Sequence, residues 1–244
     1  MNDKQKLKGS VAIVTGGGKG IGKSIALAFA EEGANLVVCG RTFSLLEQVS
    51  REARHTGATV IPIKADVSVE TEVESMVAQA LETFGKIDIL VNNAGIPGPL
   101  DLIVNINKQA WDEVINTNLT GIFLCFRAVL RHMVKRRSGS IINISSGAGR
   151  VGTGRIRSLP YNVSKFGVEG FTYAASIQMK PYGICVNALC PGVMDTDFHT
   201  DSPPEWKTQM HSPEDVKKLA VFLALQTVDT MTGESIALKE WEQN

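Results

Sequence analysis

Tyr161 and Lys165 stand four residues apart at the start of an apolar-periodic stretch, so on a helix they share one face. An ammonium beside a phenol favours the phenolate and lowers a pKa that is about 10 when unperturbed. A shift of about three units is about 4 kcal/mol of differential interaction, enough to make a phenol useful as an acid or base near neutral pH. A second constellation lies far upstream, Thr15-Gly16-Gly17-Gly18-Lys19-Gly20-Ile21-Gly22. It joins an apolar run, Val11 to Val14, to an amphipathic segment, Ile21 to Glu32. Strand, glycine turn and helix together are the setting of a dinucleotide-binding loop. Glycines permit positive φ and let backbone N–H groups at the helix N-terminus approach a pyrophosphate. Each motif alone has a bland reading, a surface tyrosine with a solvated lysine or a simple turn. Their presence in one chain points to proton transfer beside a bound dinucleotide.

Elements that position these residues alternate from end to end. Strands are predicted at Val11–Thr15, Leu36–Cys39, Val60–Ile63, Ile87–Val91, Ile141–Ile144, Ile184–Leu189 and Ser235–Leu238. They are short and apolar on both faces, as helix-covered parallel strands must be. Helical periodicity covers Ile21–Glu32, Leu45–Thr56, Glu70–Phe84, Gln109–Arg136, Tyr161–Met179 and Pro213–Leu225. The last has Ser212 as N-cap, Pro213 in its first turn and Asp215 three residues after the cap. The expected fold is therefore α/β, one doubly wound, mostly parallel seven-stranded sheet flanked by helices, with residues 1–244 forming a single dinucleotide-binding and catalytic domain.

Composition narrows the partners. The 244 residues are 43% hydrophobic and 20% charged with a net charge of +0, so no global field recruits nucleic acid or an anionic membrane. The polar start, Met1 to Ser10, has no signal-peptide character, and no run approaches the ~18 apolar residues of a membrane span. Cys39, Cys125, Cys185 and Cys190 sit in apolar segments without CxxC spacing, as small core residues in a reducing cytoplasm would. No metal site is expected.

The order of motifs is specific: the glycine loop, Asp66, Asn92-Asn93-Ala94-Gly95, Asn118, Ser145-Ser146, Tyr161-x-x-x-Lys165 and Pro191-Gly192. In this order and spacing, nearly the whole chain resembles the short-chain dehydrogenase/reductase family, in its 3-oxoacyl-carrier-protein-reductase-like branch. That resemblance implies hydride transfer between a carbonyl (ketone or aldehyde) and an alcohol. It implies that Tyr161 is the general acid/base, that Ser146 donates a hydrogen bond to the substrate oxygen, and that Lys165 holds the nicotinamide ribose and depresses the tyrosine pKa. Asn118 matches an asparagine that binds a water linking the lysine to solvent; as a residue it also reads as a polar kink in a long helix. Ser145 is the alternative to Ser146, facing the other way along a strand. The interval from Ser146 to Tyr161 is about two residues longer than the family's commonest spacing, so the loop Gly147–Pro160 is expected to bulge.

For the cofactor, the resemblance assigns Gly16, Lys19, Gly20, Ile21 and Gly22 to the phosphate loop, and Asp66 with Val67 to the adenine. It assigns Asn93, Ala94 and Gly95 to the adenosine ribose, and Pro191, Gly192, Val193 and Thr196 to the nicotinamide. Tyr161 and Lys165 contact the cofactor as well. Asp66 also reads as a helix N-terminal acid and Thr196 as a plain loop residue. At the end of the second strand Gly40 stands where NAD-preferring members carry an aspartate, and Arg41 follows it. A guanidinium matches the oxygens of a 2′-phosphate, so Arg41 with Lys19 points to NADP(H).

Other basic residues have plainer readings. Arg127, Arg131, Lys135, Arg136 and Arg137 close a long helix, where cations complement its dipole. Arg137 coincides with a base that acyl-carrier-protein reductases use for their partner, but Tyr182 replaces the second such base. Arg150, Arg155 and Arg157 in the Gly147–Pro160 loop either steer an anionic substrate or keep a surface soluble. Trp111 and Phe123 are expected in the core or a subunit interface. The resemblance implies a homo-oligomer, tetramer or dimer, built on the helices Gln109–Arg136 and Tyr161–Met179. The C-terminal Leu238-Lys239-Glu240-Trp241 departs from the family's Asp-Gly-Gly ending. Rival readings are a non-catalytic nucleotide sensor of the same fold, a sugar or polyol dehydrogenase, and an extended-branch epimerase or dehydratase, whose TGxxGxxG loop fits poorly.

Overall fold

A computed structural model describes residues 5–150, 158–199 and 210–243. Seven strands form one sheet: β1 (Val11–Thr15), β2 (Asn35–Gly40), β3 (Val60–Lys64), β4 (Ile89–Asn92), β5 (Gly139–Ile144), β6 (Ile184–Cys190) and β7 (Ser235–Ala237). Their spatial order is β3-β2-β1-β4-β5-β6-β7, and every neighbouring pair runs parallel. Between them run α1 (Gly20–Glu31), α2 (Phe43–Arg54), α3 (Glu70–Phe84), α4 (Lys108–Ile115), α5 (Gly121–Arg136), α6 (Leu159–Met179) and α7 (Val216–Ala224); a short α8 (Leu238–Trp241) follows β7.

The uninterrupted apolar strands now have their explanation. Ala12, Val14, Leu36 and Val38 pack into one cluster with α1, α2 and α7. Their neighbours Ile13, Val37 and Cys39 turn to the opposite cluster, under α3 and α5. Both faces of the sheet are dry, so alternation with polar residues is absent. All four cysteines are buried and free, and burial pushes the Cys39 thiol up to about 12. Strand order reverses between β1 and β4, and the crevice at their carboxyl ends is where open α/β sheets bind ligands.

Most element ends move by one or two residues from the sequence expectations, and three differences go further. The stretch expected as one helix, Gln109–Arg136, contains a π-helical turn at Asn116–Thr120. Asn118, fully buried there, bonds sideways to other elements, and Gly121 passes so close to Val67 that an added Cβ would lie 2.8 Å from its Cγ2. The interval 108–136 is, among the described residues, long and apolar enough to cross a membrane, yet Val129 and Met133 on it are buried in the core. Leu238, expected to end β7, instead opens α8. The last expected helix begins as a 3-10 turn, Pro213–Asp215, with the anticipated Ser212–Asp215 capping box.

Candidate active site

The glycine turn is locked from below. Thr15 Oγ1 accepts from the amides of Asn93 (3.0 Å) and Ala94 (3.1 Å) and donates to Val91 O. Asn93 Nδ2 donates to the carbonyls of Thr15 (2.9 Å) and Gly16 (3.1 Å). The Asn92–Gly95 segment thus ties the ends of β1 and β4 together. Gly16 has φ +63°, and a Cβ on Gly22 would lie 2.2 Å from Gly16 O and 2.4 Å from Asn93 Nδ2. Neither position has room for a side chain, which brings the α1 N-terminus against the turn. Gly22 therefore stands behind the cleft wall: it shapes the loop, while Gly16, Lys19, Gly20 and Ile21 line it.

The proton-transfer residues converge from β5 and α6. Ser158 caps α6 and Pro160 lies in its first turn, which presents Tyr161 and Lys165 inward, 7% and 5% exposed. Lys165 Nζ lies 5.7 Å from the Tyr161 ring centroid and donates to Ile144 O at 2.7 Å. Burial pushes its ammonium down to about 8, against the upward pull of Cys190 and Glu169. Ser146 follows β5 in extended backbone, and its Oγ accepts from the Ala148 amide at 3.2 Å. A hydroxyl that accepts one bond still has its proton to donate. Ser145 Oγ instead donates to Glu169 Oε1. The two hydroxyls thus have different partners, although both residues lie just past β5 and line the same cleft.

The Asn118 side chain bonds within the chain. Its Oδ1 accepts from Ile96 N (2.8 Å), and its Nδ2 donates to Ile96 O (2.9 Å) and Ser164 Oγ (3.1 Å). Ser164 in turn donates to Tyr161 O, so Asn118 braces the first turn of α6 against the loop after β4. It lies outside the cleft lining.

One cleft of about 680 Å³ holds the remaining predicted positions: Arg41, Asp66, Val67, Asn93, Ala94, Gly95, Ser146, Tyr161, Lys165, Pro191, Gly192, Val193 and Thr196. Burial opposes ionisation of Asp66, but the Ser68 hydroxyl and amide and the Arg41 charge outweigh it and hold the carboxyl low. The cleft fits an elongated anionic dinucleotide: a side-chain-free turn at a helix N-terminus, a cation at the end of β2 and a carboxylate acceptor across from it. Sequence reasoning missed Asp197 and Phe198. Asp197 Oδ2 takes Lys19 Nζ at 2.9 Å, and Phe198 packs on Tyr161 with ring centroids 5.5 Å apart. No motif marks either residue; both follow from the chain folding back after Pro191-Gly192.

The described arginines outside the cleft that the sequence singled out are engaged within the chain. Arg127 and Arg131 pair with Glu70 and Glu74 of α3, Arg136 pairs with Asp88, and Arg137 donates to Pro181 O. Arg150 Nη1 meets Glu240 Oε1 of α8 at 3.0 Å, so one of the three loop arginines ties the loop root to the C-terminal helix. Arg155 and Arg157 lie outside the described residues, as does the middle of the expected bulge. Phe123 is 43% exposed beneath the Arg127 guanidinium, so it is not a core residue.

Comparison with known proteins agrees with this geometry. The family model for short chain dehydrogenase matches residues 10–206. The 3-oxoacyl-(acyl-carrier-protein) reductase of Staphylococcus aureus is 37% identical over 235 residues, covering 92% of this chain and 94% of that protein. Among solved structures, NAD+-bound xylitol dehydrogenase superposes with a TM-score of 0.86 at 29% identity, covering 95% of this chain and 98% of the other. A point variant of actinorhodin polyketide ketoreductase with NADPH gives 0.85 at 31% identity, covering 93% and 95%. The chain belongs to the short-chain dehydrogenase family and is an oxidoreductase that interconverts carbonyl and CH–OH groups of a small molecule with a nicotinamide cofactor.

Proposed function

We propose that the protein is an NADPH-dependent carbonyl reductase in which Tyr161 is the general acid, working as one catalytic unit over residues 1–244. The observation that carries this is the meeting of Ser146, Tyr161 and Lys165 in the same cleft as the glycine turn. The bound dinucleotide supplies the hydride; the chain's own residues handle the oxygen and the proton. Ser146 donates to the carbonyl oxygen and polarises it. Tyr161 gives its proton to that oxygen as charge develops there, and takes it back in the oxidative direction. Lys165, in its charged form, lowers the cost of the phenolate that remains. The Asn118 amide is spent on Ile96 and Ser164, so its part in this scheme is to brace the turn of α6 that carries Tyr161.

The preference for NADPH rests on Arg41, on the missing acid at Gly40 and on Lys19, whose exposed pairing with Asp197 costs little to open. Outward-facing Phe166, Tyr173 and Ile177 on α6, 44–63% exposed, with Phe123 on α5, support a homodimer or tetramer through these helices. Four buried free cysteines suit a cytoplasmic enzyme. The test is a panel of ketones and aldehydes offered with NADPH and, separately, NADH, followed by loss of reduced-nicotinamide absorbance. Turnover of at least one carbonyl with NADPH ahead of NADH is expected; no turnover of any would remove the proposal.

A further inference from the structure

The reaction sketched above leaves one carboxylate unused. Glu169 lies on α6, one helical turn beyond Lys165 on the same face, half-buried. Its Oε1 accepts from Ser145 Oγ and, at 2.9 Å, from Ser235 Oγ at the start of β7. Ser145 directly follows Ile144, whose carbonyl accepts Lys165 Nζ at 2.7 Å. Two successive turns of α6 therefore grip two successive residues at the end of β5, one through a cation and one through an anion. The next residue along the chain is Ser146.

We propose that Glu169 is a positioning residue that keeps Lys165 charged, and so keeps the tyrosine acid functional, while fixing the β5 end that carries Ser146. This rests on the carbonyl-reductase reading given above. The charged and titratable groups around the lysine are few among the described residues. Tyr161 stands one turn before it on α6, and Cys190 faces it from the end of β6. Burial raises the Cys190 thiol, so near neutral pH it carries no charge. From the loop after β5 comes Arg150, which feels Glu169 and is paired with Glu240 of α8. Glu169, one turn along the same face of α6, is thus the carboxylate that partly offsets the burial of Lys165. Without it the ammonium would give up its proton at lower pH, and a neutral amine does nothing for a neighbouring phenol.

Glu169→Gln keeps an oxygen for both serine hydroxyls and removes the charge. Carbonyl reduction needs the Tyr161–Lys165 pair fully protonated, so its kcat/KM falls as pH rises through the apparent pKa of that pair. Removing a nearby negative charge lowers that apparent pKa, whichever member of the pair loses the proton. The descending limb should move to lower pH by on the order of one unit, with the acid plateau within about threefold of wild type. Ser235→Ala, which keeps the charge, should leave the limb in place. If Glu169→Gln does not fold, Ser145→Ala with Glu169→Leu replaces both partners of the bond by apolar groups, and the same shift is expected. A limb at the wild-type pH in the charge-removing variant overturns the proposal, even if the plateau drops. Absence of carbonyl reduction in the wild-type enzyme is a different result: it removes the parent function and is seen before any variant is made.

Discussion

The cofactor preference makes a prediction whose size follows from where Arg41 sits. It lies in exposed backbone just past β2, in the cleft lining, with Asp66 close enough to feel its charge. A hydrogen bond to a charged group is worth about 1.5–3 kcal/mol, and exposure places this one at the lower end. Arg41→Ala should therefore weaken NADPH by about 1.5 kcal/mol, roughly tenfold, and leave NADH nearly unchanged. Its effect through Asp66 acts on both dinucleotides, so the ratio of the two affinities is the quantity to read. The structure also permits the reverse design. A Cβ on Gly40 would meet Leu46 Cδ2 at 3.5 Å, ordinary contact, and its φ is not in the left-handed region. Gly40→Asp with Arg41→Ala should thus fold and bind NADH the tighter of the two, because a carboxylate repels a 2′-phosphate and accepts from a ribose hydroxyl. Fluorescence titration of each variant with both dinucleotides measures this directly. Equal losses for NADPH and NADH in Arg41→Ala, or no loss at all, would refute the assignment of Arg41 to the 2′-phosphate.

Two further outcomes follow from the packing. Gly22→Ala must move backbone, since its Cβ would fall 2.2 Å from Gly16 O; a stability loss of about 2 kcal/mol or more and weaker binding of both dinucleotides are expected in thermal melts and titrations. An unshifted melt would mean the turn is not locked as described. Asp88 accepts from the Val11 amide at 2.9 Å and pairs with Lys86 and Arg136 at 2.8 Å each, and these outweigh its burial to hold its pKa below the ordinary carboxylate value. A depressed folded-state pKa gives stability that is present above the unfolded value and lost as pH falls through the folded one. Asp88→Asn should accordingly cost on the order of 1 kcal/mol at neutral pH, with the gap to wild type closing in acid below pH ~4; a constant gap across pH would contradict this.

Much of this is legible in the sequence. Strand runs such as Val11–Thr15 and Ile184–Leu189 announce themselves because both faces are buried, and the Ser212–Asp215 cap is a purely local signal. The break at Asn116–Thr120 was not legible as a π turn, because its cause is a pair of bonds from Asn118 to Ile96, 22 residues away. Asp197 and Phe198 were invisible for the same reason: one meets the glycine loop 178 residues upstream, the other a ring on α6. Gly22 shows the limit of the motif, since a glycine needed for close backbone approach and one that touches a ligand look alike in sequence. Ser146 and Ser145 both fall just past β5 and line the same cleft, and what distinguishes them is the partner each hydroxyl finds. What holds Ser145 could not be foreseen, because Glu169 reads as an ordinary helix-surface acid until β5 and β7 are brought beside it.

The central claim is that the buried phenol of Tyr161 is the proton donor in carbonyl reduction. Tyr161→Phe deletes that hydroxyl while keeping the ring that packs on Phe198. Measured on the best carbonyl substrate, kcat should fall on the order of a hundredfold or more, while NADPH affinity and thermal stability stay close to wild type. A variant that turns over that substrate at the wild-type rate would contradict the account.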